Sequence, residues 1–149
     1  MPRRLRATGK VAGAPDIFID SSAWIALFSG RDQHHDEADR IFRTIVASRR
    51  KLLTTNLVLA EIHRLLLHRA GIRAAGAALG KIEASPLVTI EFAEAAHHQS
   101  AIAWMDKLQD HPISYADAVS FAVMEAVGCT EAVSYDHHFR IAGFVLAGS

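Results

Sequence analysis

Short apolar runs alternate along the chain with longer stretches in which apolar residues recur every three or four positions. Residues 16–20 read as a strand carried by Ile17-Phe18-Ile19, followed by a helical stretch through Phe28. Ser29-Gly30-Arg31-Asp32 reads as a turn. Residues 34–50 form a helical pattern with Ala38, Ile41, Phe42, Ile45 and Val46 on one face, and residues 51–54 a short strand. Thr55 or Asn56 is placed to cap a helix running to Ala70, and Gly71 separates it from an Ala-rich helix over 72–84. Beyond Pro86, the pattern predicts a strand over 87–90, a long helix over 91–108, and a helix over 114–127 ended by Gly128. Strands at 132–134 and 144–146 close the chain, with a turn of helix between them. Strands alternating with helices imply an α/β fold with a parallel sheet and helices on both faces.

Composition fits that reading. A chain of 149 residues, half of them hydrophobic and 21% charged, makes a single globular domain. No apolar stretch approaches the roughly 20 residues of a membrane span. Arg3, Arg4, Arg6 and Lys10 precede no apolar segment, so the N-terminus reads as a basic tail and not as a secretory signal. A single cysteine, Cys129, excludes an internal disulfide and fits a reducing cytoplasm. Net charge is zero, but the first ten residues hold four basic groups and no acid. The remainder is therefore acidic, which argues against a general nucleic-acid coat protein.

Four acids stand out against the apolar pattern. Asp20 ends the first strand and Asp136 follows the fourth, where open α/β sheets bind ligands. Asp117 is the only acid in the first two turns of an otherwise nearly hydrophobic helix. Glu61 shares a face with Leu57, Val58 and Leu65, the stripe expected to meet the core. Each also has a plainer reading. Asp20 and Asp136 are good N-caps, and Asp117 is placed to close a capping box with Ser114. Glu61 fits the edge of a wide stripe, or a pairing with His63 or Arg64. Taken together, four carboxylates at close range repel unless a cation joins them. Oxygen ligands favour Mg²⁺ or Mn²⁺, ions suited to phosphate-ester hydrolysis.

Four segments carry a family resemblance: Phe18-Ile19-Asp20-Ser21-Ser22-Ala23-Trp24, Asn56-Leu57-Val58-Leu59-Ala60-Glu61, Ser114-Tyr115-Ala116-Asp117-Ala118 and Ser134-Tyr135-Asp136-His137-His138-Phe139. In this order and spacing the chain resembles the PIN-domain nucleases, and among them the VapC-type toxins of toxin–antitoxin pairs. The resemblance implies a three-layer sandwich over 16–149 with strand order 3-2-1-4-5; the flexible basic tail read over 1–15 departs from the family, whose toxins usually begin just before the first strand. It implies a cytoplasmic Mg²⁺- or Mn²⁺-dependent endoribonuclease acting on tRNA, rRNA or mRNA, leaving a 5′-phosphate and a 3′-hydroxyl. Asp20, Glu61, Asp117 and Asp136 correspond to the family's acidic quartet. Asp20, Asp117 and Asp136 would hold the metal, and Glu61 would bind metal or orient the attacking water. Ser134 stands where the family often has a Ser or Thr assisting the site; a plainer role is a sheet-end bond to backbone. A homodimer and a cognate antitoxin covering the groove are further implications.

Other signals in the sequence carry less. Nine histidines suggest zinc, but His34/His35, His97/His98 and His137/His138 are adjacent pairs, splayed on a helix, and no HExxH is present. His137, His138 and Arg140 follow a candidate ligand and are placed to touch a phosphate, unless they form a solvated turn. Arg64 leads a basic stretch with His68, Arg69 and Arg73 that suits an RNA groove or an ordinary exposed face. Competing functions are a housekeeping nuclease maturing rRNA or tRNA without an antitoxin, and a non-catalytic RNA-binding module. Retention of all four acids argues against the second.

Overall fold

A computed structural model describes residues 16–148, so the basic N-terminal stretch lies outside the described residues. Five strands form one sheet: β1 (Ile17–Ile19), β2 (Leu52–Thr55), β3 (Val88–Glu91), β4 (Glu131–Val133) and β5 (Val145–Leu146). Their order is β3-β2-β1-β4-β5 and every pairing is parallel. Helices α1 (Ser21–Phe28), α2 (His35–Ala47), α3 (Asn56–Ala70), α4 (Ile72–Ala84), α5 (Ala95–Lys107), α6 (Tyr115–Val127) and α7 (His138–Ile141) pack around it.

Successive residues of a strand face opposite sides of the sheet. Ile17, Phe18 and Ile19 are all fully buried, so both faces at β1 are covered and the domain has three layers. This is why the central strands read as continuous apolar runs without alternation. Phe18 and Phe121 both pack on Phe139, with ring centroids 5.8 and 5.0 Å away. Phe139 thereby anchors α7, the short helix directly after Asp136, to the core. Each such ring contributes roughly 1.5–3 kcal/mol through burial. Trp24 is 3% exposed among Phe28 and Phe42, a core residue.

Most boundaries follow the apolar pattern, with local exceptions. Thr55, and not Asn56, caps α3 by accepting the Val58 amide at 3.1 Å. Asn56 instead accepts the Ala93 amide at 2.9 Å, which holds the loop after β3. Glu91 accordingly belongs to β3, fully buried, and α5 starts at Ala95 behind a capping box formed by Glu94 and His97. The helix expected from residue 34 begins at His35, because Asp32 accepts the His34 amide at 2.8 Å and turns the chain. Gly128 ends α6 in the left-handed conformation (φ 72°), which favours glycine.

Candidate active site

β1 and β4 lie side by side, with Ile19 registered against Val133. The next residue on each strand therefore emerges at the same carboxyl edge, and these are Asp20 and Ser134. The Asp20 amide bonds the Val133 carbonyl at 3.0 Å, and Ser134 Oγ donates to Asp20 Oδ2 at 2.9 Å. Ser22 Oγ donates to the same oxygen at 3.1 Å. Asp20 occupies the N-cap position of α1, but its side chain makes no capping bond there. Its carboxylate serves the cleft.

Burial, then the charge of Asp117 and more weakly that of Glu61, lift the Asp20 carboxyl to about 7, against the pull of Ser134 and the Ser21 amide. Asp117 sits in the first turn of α6, whose N-terminus is capped by Ser114 Oγ accepting the Asp117 amide at 3.1 Å. Its carboxyl is raised by burial and by Asp136, and lowered by His138. Asp136 is fixed at both ends. Its amide donates to Ser134 Oγ at 2.9 Å, and its Oδ1 accepts the His138 amide at 3.0 Å. His138 Nδ1 lies 3.1 Å from Asp136 Oδ1 and 3.2 Å from Asp117 Oδ2.

Glu61 does not face the core. The buried row of α3 is Val58, Ile62 and Leu66, and Glu61 stands at its edge. One cleft of about 440 Å³ is lined by all four acids together with Leu65, Arg69, His34 and Tyr135. No hydrogen bond or ion pair engages Glu61 among the described residues. Arg64, His137 and Arg140 are exposed and lie outside this lining. Arg69 is the arginine in the lining. The spacing Glu61-Leu65-Arg69, four and four, puts the three on one helical row and was readable in the sequence. His34 and Tyr135 stack at the rim with ring centroids 3.9 Å apart, a pairing between distant segments that no local motif signals.

The donors suit a divalent cation. Asp117, Asp136 and His138 each offer a ligand atom, all within 4.8 Å of one another. Asp20 adds like-charge crowding that a cation relieves.

A parallel sheet in 3-2-1-4-5 order with four acids at its carboxyl edge is the arrangement of the PIN-domain nucleases. The chain belongs to the PIN-domain family, whose profile matches residues 17–145. Among its relatives is the 23S rRNA-specific endonuclease VapC20 of Mycobacterium tuberculosis, 37% identical over 129 residues, or 87% of this chain and 95% of the relative. The crystal structure of VapC20, a sarcin–ricin loop cleaving toxin, aligns with a TM-score of 0.79 at 36% identity, over 87% of this chain and 96% of that one. FitAcB from Neisseria gonorrhoeae shares the fold, with a TM-score of 0.61 at 14% identity over 87% and 95% of the two chains. No helix among the described residues is long and apolar enough to cross a membrane.

Proposed function

We propose that this chain is a metal-dependent endoribonuclease, the toxin of a toxin–antitoxin pair, acting in the cytoplasm on a loop of large-subunit ribosomal RNA. One observation carries the chemistry: Asp20, Glu61, Asp117 and Asp136 line a single cleft, with Asp20 held at about 7 by burial and by Asp117. The likeness to VapC20 supports the substrate class and the toxin role.

Asp20, Asp117 and Asp136 would hold Mg²⁺ or Mn²⁺, which supplies charge neutralisation at the scissile phosphate and a more acidic water. Ser134 keeps the Asp20 oxygen in place. Glu61, with no competing bond, orients the attacking water and takes its proton. Arg69 holds a neighbouring phosphate of the RNA. Arg69 and Asp32 also line an adjoining groove of about 920 Å³ bordered by Arg31 and Lys81. Arg31, Arg69 and Lys81 form no ion pair among the described residues, which leaves them available to backbone phosphates. An apolar groove of about 460 Å³ lined by Trp24, Phe28, Phe42 and Ile82 suits an antitoxin helix. A homodimer is also expected.

The test is cleavage of ribosomes and of a sarcin–ricin stem-loop by purified protein in Mn²⁺, beside Asp117→Asn. A single cut within the loop, absent from the variant, supports the reading. Equal cutting by both proteins refutes the site. Cleavage elsewhere refutes the target. Growth arrest on expression without an antitoxin separates a toxin from a housekeeping nuclease.

A further inference from the structure

We infer that His138 is a direct ligand of the metal, giving this site a nitrogen donor beside its carboxylates and a preference for Mn²⁺ over Mg²⁺. The inference rests on the metal-nuclease reading and concerns which atoms form the site. The carboxylate quartet does not include it.

The argument begins with placement. His138 opens α7, two residues after Asp136, and its side chain is 13% exposed. Its amide is bonded to Asp136 Oδ1 at 3.0 Å, which fixes the backbone, and the ring Nδ1 stands 3.1 Å from the same oxygen. The next residue, Phe139, is fully buried, and this holds α7 against the core. His137, one position earlier, shows the contrast. It is 74% exposed, with Nδ1 3.9 Å from Asp136.

The distances match a coordination shell. Hard divalent ions of this size bind oxygen at about 2.0–2.1 Å in octahedral geometry, which puts adjacent donors about 3.0 Å apart. His138 Nδ1 stands 3.1 Å from one carboxylate oxygen and 3.2 Å from the other. All three residues offer donor atoms within 4.8 Å of one another, so a cation needs little rearrangement to bridge them. Nδ1 faces the carboxylates, so the ligating form carries its proton on Nε2. A structural role would reverse this, with Nδ1–H donating to Asp117 and Asp136. Only the first arrangement puts nitrogen on the metal. Imidazole suits transition metals better than it suits Mg²⁺, and from this the Mn²⁺ preference follows.

The test uses the full-length protein with Mn²⁺ alone and pulsed electron paramagnetic resonance. Mn²⁺ bound to the wild type should show modulation from a directly coordinated nitrogen. That modulation should change when the histidines carry the heavier nitrogen isotope, a readout that needs no variant. It should vanish in His138→Gln and persist in His137→Gln. Mn²⁺ affinity should fall on the order of 10–100-fold in His138→Gln, the range seen even for residues one step removed from a metal. Mg²⁺ affinity should change less. If Mn²⁺ binds, is lost in Asp117→Asn and shows no nitrogen modulation, His138 is not a ligand although the carboxylate site stands. If Asp117→Asn binds Mn²⁺ as the wild type does, the metal-site reading fails and this inference falls with it.

Discussion

Ser134 reaches Asp20 at 2.9 Å across the seam between β4 and β1, joining residues 114 positions apart. The same hydroxyl oxygen accepts the Asp136 amide at 2.9 Å, so one small side chain sets the distance between two acids of the cleft. Ser134→Ala leaves the part-buried Asp136 amide without that acceptor. It should cost about 1–3 kcal/mol of stability, and RNA cleavage should drop further than the stability loss explains. Ser134→Thr should restore both. Urea midpoints and cleavage rates measured together decide this; an alanine variant as active and stable as the wild type would remove Ser134 from the site.

The pH dependence of the metal-free protein follows from Asp20. Its carboxyl stands at about 7 when folded, against an ordinary 3.8. Between those values the folded state holds a proton that the unfolded chain has released, so stability falls as pH rises. The penalty is complete above about 7 and amounts to a few kcal/mol. Asp117, raised in the same direction, adds to it. In chelator, melting temperature should decline from pH 5 to pH 8. Asp20→Asn should flatten that slope and stabilise the protein at pH 8. A variant with an unchanged slope would place the titration elsewhere.

Metal addition should act in the opposite sense. A cation must displace the protons that burial favours, so it binds more weakly at low pH. Mn²⁺ at fixed concentration should therefore raise the melting temperature more at pH 8 than at pH 6. An equal rise at both would mean that binding does not draw on these carboxyls.

Glu61 is the quartet member least tied to the fold. It is partly exposed, and among the described residues no hydrogen bond or ion pair holds its carboxylate. Glu61→Gln should change stability by no more than about 0.5 kcal/mol. It should slow cleavage about 100-fold or more, the scale of general-base assistance. Retained activity would leave it a bystander at the rim.

Arg69→Gln should weaken binding of an RNA stem-loop to the inactive Asp117→Asn protein. The slope of log affinity against log salt should drop by about 1, the signature of one lost phosphate contact. Arg64→Gln should do neither. A reversal of these two would move the substrate path to the other face of α3.

The acids were legible because each breaks an apolar pattern, and the sheet because its strands are short apolar runs between helical ones. What each acid does was not legible, since a strand-end Asp reads equally as a helix cap. Only the register of Ile19 against Val133 shows that Asp20 bonds to Ser134 and leaves the α1 cap unmade. Leu57, Val58 and Leu65 put Glu61 on the stripe expected to meet the core, or at its edge. The structure gives that face to Val58, Ile62 and Leu66, leaving Glu61 at the cleft. The helix expected from residue 91 starts at Ala95 instead, and Glu91 ends β3. Asn56, 37 residues away, settles that boundary by holding Ala93, a contact beyond any local signal.

The sheet order has a consequence for synthesis. β1 is made before β2 and β3, yet its neighbour β4 and the Asp136 that follows are made after both. A chain interrupted anywhere before Ala132 lacks one wall of β1, the serine that holds Asp20 and the final acid. The cleft therefore cannot assemble until β4 and the residues that follow it have been made.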